Sequence, residues 1–230
     1  MIRIVTISLC ATLLISCSST VQHTGQAPEN FEQSIINSKQ SFYTQISLDT
    51  LTNASYKDFS VNEAYRYKNY KLLFGAFDSQ IGELSPNESE SDIGVRLLVL
   101  DQADQLVFRS KGQGDSYILR PKFYALNAQS PLLVFAEIGT EYSWGNIVFS
   151  LNENGIKEIG EIDVAGIDLA LDDYDDVSNV IKIEKTGSNL KFSFDADSVV
   201  LNPGGNNEQV VEAKGYFYLY NGKDFILVKK

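Results

Sequence analysis

Cysteine and histidine are almost missing from this chain of 230 residues, which has two cysteines and one histidine. Cys10, Cys17 and His23 all lie near the amino terminus, so neither a thiol nor an imidazole occurs after residue 23. In that part of the chain this excludes a Ser-His-Asp triad, thiol-based catalysis, ordinary zinc sites and disulfides. We therefore expect stability to come from packing, for which 13 Phe and 12 Tyr provide the material.

Basic residues are also scarce, because 19 Lys and Arg stand against 30 Asp and Glu, a net charge of −11. Nucleic-acid binding requires a basic surface, so we expect no nucleic-acid partner. An acidic surface suits a basic protein or a bound cation, although the need for solubility also accounts for it.

Only one long hydrophobic run is present, and it lies at the amino terminus. A single basic residue, Arg3, precedes the predominantly apolar residues 4–15. A helix of that length measures about 18 Å, shorter than the roughly 30 Å hydrocarbon core of a bilayer. The run therefore indicates a secretory signal peptide. Its end, Leu-Ile-Ser-Cys at residues 14–17, resembles the lipobox of bacterial lipoproteins.

This resemblance covers only the export segment. It implies that residues 1–16 are removed and that Cys17, acylated on its sulfur, becomes the new amino terminus. Stable anchoring needs more than one acyl chain, and the lipoprotein cysteine is triacylated. Ser18 is not the aspartate of an inner-membrane retention signal, and no acidic residues follow Cys17 directly. The resemblance therefore implies attachment to the outer membrane, facing the periplasm.

The mature chain is expected to have a tether and one domain. Residues 17–30 consist of the lipidated cysteine and a small, polar stretch that predicts a flexible tether spanning about 20 Å. Residues 31–230 are expected to form a single all-β domain with at most one short helix at its amino end, near residues 30–40. Asn154-Gly155 and Asn221-Gly222 are typical of hairpin turns. We predict about a dozen strands in an antiparallel, hairpin-rich sandwich, barrel or propeller-like meander.

Two segments of this domain are candidate binding sites. Tyr142 and Trp144, the only tryptophan, lie among polar residues and beside Gly145. Such aromatic side chains can stack on a sugar ring or anchor a protein partner, and the alternative is that Trp144 belongs to the core.

The second candidate segment is an acidic cluster, in which four aspartates crowd five positions: Asp172, Asp173, Asp175 and Asp176. Calcium prefers such oxygen ligands, but the glycine and glutamate of an EF-hand loop are missing. A solvated acidic loop is the simpler interpretation, and a calcium ion or a basic partner is the alternative.

The sequence thus favours a non-enzymatic, lipid-anchored interaction protein of the bacterial envelope that uses no cofactor. A specific form of this hypothesis is an inhibitor or immunity-type protein against a cationic envelope enzyme. The alternatives are a glycan-binding module, a glycoside hydrolase that uses carboxylates, and a structural envelope lipoprotein.

Overall fold

The structure, a computed structural model, describes residues 41–77, 93–168 and 173–230. These residues form an antiparallel all-β fold, as the sequence predicts, and contain no α-helix. The helix predicted near residues 30–40 lies outside the described residues. No helix in the described ranges has the length and apolar character needed to span a bilayer.

The described residues contain 19 strands, more than the dozen predicted, because several strands have only two to four residues. In chain order they are β1 (Ser41–Phe42), β2 (Thr44–Ile46), β3 (Asp49–Thr50), β4 (Phe59–Tyr67), β5 (Tyr70–Phe77), β6 (Val95–Leu100), β7 (Leu106–Arg109), β8 (Ile118–Ala125), β9 (Leu132–Gly139), β10 (Ser143–Asn152), β11 (Gly155–Ile162), β12 (Val164–Asp168), β13 (Asp173–Asp175), β14 (Ile181–Thr186), β15 (Asn189–Phe194), β16 (Ser198–Leu201), β17 (Gln209–Glu212), β18 (Tyr216–Tyr220) and β19 (Phe225–Lys229). Two short 3-10 turns, Val177–Asn179 and Ala213–Gly215, complete the described secondary structure.

These strands form four sheets. The first sheet has the order β3-β4-β5-β6-β7, and the second has the order β11-β10-β9-β8-β2. The third sheet is β13-β12-β16-β17, and the fourth is β1-β14-β15-β18-β19. Most neighbours are joined by local hairpins, which explains why turn residues predicted so much of the architecture.

The second sheet is buried on both faces. Alternate residues of its central strand β9, such as Leu132 and Val134, pack in a core shared with the first sheet. Leu133 and Phe135, between them, pack in a core shared with the third and fourth sheets. Because both faces of β9 meet apolar layers, its sequence is a nearly continuous apolar run with no alternation. Glu137 is the only charged residue of that strand.

The segment that enters the described fold crosses three of the four sheets. Within residues 41–50, β1 pairs with β14 of the fourth sheet, β2 with β8 of the second, and β3 with β4 of the first. Tyr43, between β1 and β2, is buried in the core of the second, third and fourth sheets. This segment therefore ties three sheets together immediately after residue 40.

Candidate functional site

A polar row interrupts the apolar face of the second sheet that packs against the third and fourth sheets. Arg120 on β8, Glu137 on β9 and Asn146 on β10 are directly opposite one another in the strand register, so they share one face. Glu137 is 6% exposed and Asn146 is fully buried. Buried polar groups of this kind require partners, so their surroundings define the site.

The partner of Asn146 is Asp176, which caps the 3-10 turn Val177–Asn179. Its carboxylate accepts hydrogen bonds from the Ser178 backbone N–H at 2.9 Å and from the Asn146 amide at 2.8 Å, and a further one from the Ser178 hydroxyl. Aspartate is favoured at such a cap because its side chain satisfies N–H groups that the turn leaves unpaired. Lys122 on β8 adds an ion pair at 3.0 Å. Asp176 thus attaches the turn to the second sheet.

The two buried acids differ in their electrostatic surroundings. Burial raises the pKa of Glu137, and the negative charge of Asp176 raises it further, while Arg120 and Lys122 act in the opposite direction. Burial also acts to raise the pKa of Asp176. There, however, the hydrogen bonds from Ser178 and Asn146 and the charge of Lys122 prevail, and the pKa is lowered. Asp176 is therefore a stabilised carboxylate, whereas Glu137 is a carboxylate that is costly to ionise.

Glu137 and Asp176 both line an open pocket of about 350 Å³. The pocket lies where the second sheet meets the Asp175–Asn179 segment, and Glu63 of the first sheet also lines it. Four carboxylates and two cations line this pocket among the described residues: Glu63, Glu137, Asp175, Asp176, Arg120 and Lys122. Its net charge is negative, so it favours a positively charged group over a negative one.

Two tyrosines that are near pocket residues in the sequence contact each other. Tyr142 and Tyr174 meet edge to face with ring centroids 5.5 Å apart. The Tyr174 hydroxyl donates a hydrogen bond to Glu208, and this contact lowers the pKa of Glu208. Gly204, at φ +74°, makes room for the Tyr142 hydroxyl, which a Cβ there would meet at 2.7 Å. Tyr174 directly precedes Asp175 on β13, but neither tyrosine is among the residues that line the pocket.

Trp144 has different surroundings from Tyr142. It is half-buried and packs against the core between the first and second sheets. The register of β10 against β9 shifts between Ser143 and Gly145, which places Trp144 in a bulge. Tyr142 contacts Tyr174 instead, so the two aromatic residues singled out in the sequence do not share one set of neighbours.

The four clustered aspartates also separate in the structure. Asp172 lies outside the described residues, Asp173 and Asp175 are exposed on β13, and Asp176 is buried. Asp175 accepts hydrogen bonds from the Asp176 backbone N–H and from the Asn179 amide, both at 2.8 Å. Among the described residues no group of three or more His, Cys, Asp or Glu side chains could hold a metal ion.

Sequence reasoning did not single out Glu137, Arg120, Lys122 or Asn146. The one signal in the sequence is Glu137, because a single charged residue inside the apolar run LLVFAEIG requires a partner when it is buried. The identity of that partner depends on strand register and on the position of the Asp176 turn, which local sequence does not specify.

No family model, curated protein or solved structure matches the chain. Cys17 and the tether lie outside the described residues.

Proposed function

We propose that this protein is a non-enzymatic interaction protein of the bacterial envelope, held by lipid on Cys17 at the periplasmic face of the outer membrane. Its partner is a basic protein, and its binding surface includes the pocket lined by Glu137. In the specific form of this proposal, it inhibits a cationic enzyme that acts on the envelope, or protects against one.

The observation that carries the proposal is the negative pocket formed around a buried carboxylate. Four acids and two bases line it, and its entrance is open. The whole chain is also acidic, so its field attracts a basic protein toward this surface before contact. Attraction of this kind increases the association rate and weakens as ionic strength rises.

A glycan-active protein is the second candidate, because two carboxylates in one pocket have pKa values shifted in opposite directions. Such a pair is typical of acid and base roles. However, the oxygens of Asp176 already accept hydrogen bonds from Ser178 and Asn146 and pair with Lys122. A carboxylate engaged by these donors is a poor nucleophile or base, which favours binding over hydrolysis.

The anchor is tested by metabolic labelling with palmitate in cells that produce the full chain or its Cys17→Ala variant. We expect label and membrane association in the wild type and neither in the variant. Label retained by Cys17→Ala would refute acylation at this position.

The interaction is tested by cross-linking in native envelopes, with the wild type, Glu137→Gln and the matched control Glu153→Gln. Glu153 is exposed in the β10–β11 turn, so its variant removes the same charge outside the pocket. We expect one basic protein to be captured by the wild type and the control, and much less of it by Glu137→Gln. Equal capture by all three proteins, or capture of no basic protein, would refute the proposal. Release of sugar fragments from peptidoglycan that depends on Glu137 would support the hydrolase instead.

A further inference from the structure

The contact between Arg120 and Glu137 is loose. Their closest approach, from an Arg120 terminal nitrogen to Glu137 Oε2, is 3.8 Å, which exceeds hydrogen-bond length. The Arg120 side chain is 67% exposed, whereas that of Glu137 is only 8% exposed. A buried carboxylate favours short, charge-assisted hydrogen bonds, and Arg120 does not provide one at this distance.

The other cation of the pocket is committed elsewhere. Lys122 pairs with Asp176 at 3.0 Å and donates a hydrogen bond to the side chain of Asn179. Its side chain is 25% exposed, so it is held more firmly than Arg120. Of the two cations that line the pocket, Arg120 is therefore the one that can move away at low cost.

An unpaired acceptor lies beside Glu137. The Asn146 side-chain oxygen is fully buried and has no hydrogen-bond partner among the described residues. Asn146 is opposite Glu137 in the strand register, and its amide nitrogen binds Asp176. The amide thus lies between two carboxylates that line the pocket. An unsatisfied buried acceptor is costly, although Asn146 is not among the residues that line the pocket.

We propose that Glu137 receives one guanidinium or ammonium side chain of the basic partner, and that Arg120 covers this position in the unbound protein and is displaced on binding. This inference rests on the proposed function and specifies the contact. The incoming cation replaces a loose ion pair with charge-assisted hydrogen bonds to Glu137. Arg120 then moves into solvent at little cost in free energy, because its side chain is already largely exposed.

The proposal makes opposite predictions for the two members of the pair. Glu137→Gln removes the carboxylate that binds the cation, so it should weaken binding of a basic side chain about tenfold or more. This is the usual effect of losing a hydrogen bond to a charged group. Removing Arg120 removes the competitor, so Arg120→Gln should strengthen it. If Arg120 were only part of a stable ion pair, its loss would not strengthen binding.

The test is an NMR titration of the protein with three small probes: the Nα-acetyl methylamides of arginine, lysine and glutamine. Each pocket variant is compared with a control that changes the same charge, Lys223→Gln for Arg120→Gln and Glu153→Gln for Glu137→Gln. Lys223 lies exposed in the β18–β19 loop. We expect saturable shifts at Glu137 and its strand neighbours with arginine or lysine, and none with glutamine.

The result that overturns the inference is an Arg120→Gln variant that binds no more tightly than Lys223→Gln. Because Arg120 is largely exposed, this variant is expected to fold even if Glu137→Gln does not. If the basic probes fail while the wild type still captures a basic envelope protein in a Glu137-dependent way, this inference falls and the proposed function stands. If neither the probes nor a basic protein binds, both fall.

Discussion

Asp176→Asn tests whether the buried polar network holds the Val177–Asn179 turn on the second sheet. The substitution keeps the shape of the side chain and one acceptor oxygen but removes the charge. The second oxygen, which accepts from the Ser178 hydroxyl and pairs with Lys122 at 3.0 Å, becomes an amide donor. The Lys122 ammonium then faces this donor in place of a carboxylate.

The expected cost follows from the burial of the two charges. Breaking a buried ion pair by removing one partner costs about 3–5 kcal/mol. Lys122 is 25% exposed and can turn toward water, and the remaining oxygen of the asparagine can keep one hydrogen bond, so the cost should lie at or below the lower end of this range. We expect the free energy of unfolding to fall by about 2–3 kcal/mol, and the melting temperature by about 4–12 °C in a protein of this size.

The assay is urea unfolding followed by the fluorescence of Trp144, the only tryptophan, which packs against the core of the first and second sheets. Asp173→Asn is the matched control, because Asp173 is exposed and its carboxylate accepts a hydrogen bond from the next backbone N–H. We expect the control to change stability by no more than about 0.5 kcal/mol. The reasoning is refuted if Asp176→Asn costs less than about 1 kcal/mol, or if its cost simply adds to that of Lys122→Gln in the double variant.

Two further predictions concern the same end of the second sheet. Burial raises the pKa of Glu137, so the folded state binds the proton of this carboxyl group more tightly than the unfolded state does. The free energy of unfolding should therefore fall as pH rises from the ordinary carboxyl range through the raised pKa. The melting temperature of Glu137→Gln should not show this fall as pH rises. Parallel curves of melting temperature against pH for the wild type and the variant would contradict a raised pKa at Glu137. Gly145→Ala should destabilise the bulge by more than about 2 kcal/mol, since φ is +135° and a Cβ would lie 2.1 Å from the Ile162 carbonyl oxygen. Gly155→Ala, with φ +115° but no atom within 4 Å of its Cβ, is the control in thermal unfolding and should cost less.

Local sequence predicted the hairpins well, with small differences at the turns. Asn154-Gly155 indicates the β10–β11 hairpin, but the pairing of Asn152 with Gly155 makes Glu153 and Asn154 the two turn residues. Asn221-Gly222 begins a four-residue loop in which the Asn221 side chain accepts two backbone N–H groups. Turn chemistry acts over a few residues, so it identifies a hairpin more reliably than its exact register.

The candidate site depended on contacts between distant parts of the chain. The sequence marks Tyr142, Trp144 and the aspartates as unusual, but it does not predict which residues they contact. Tyr142 contacts Tyr174, Asp176 is buried and binds Asn146, and Trp144 packs against a core. Asn146 and Asp176 are 30 residues apart and are joined only when the turn packs on β10. Composition and periodicity carry no information about such a pair.

The sequence by itself determined an antiparallel all-β chain without thiol or imidazole beyond residue 23, because strand periodicity, turn residues and composition are local or additive properties. The tertiary structure alone decided that the second sheet is buried on both faces, that residues 41–50 cross three sheets, and that Glu137 meets Arg120 at an open pocket. The physical reason is that a buried charge is tolerated only where strands and turns from distant parts of the chain provide its partners.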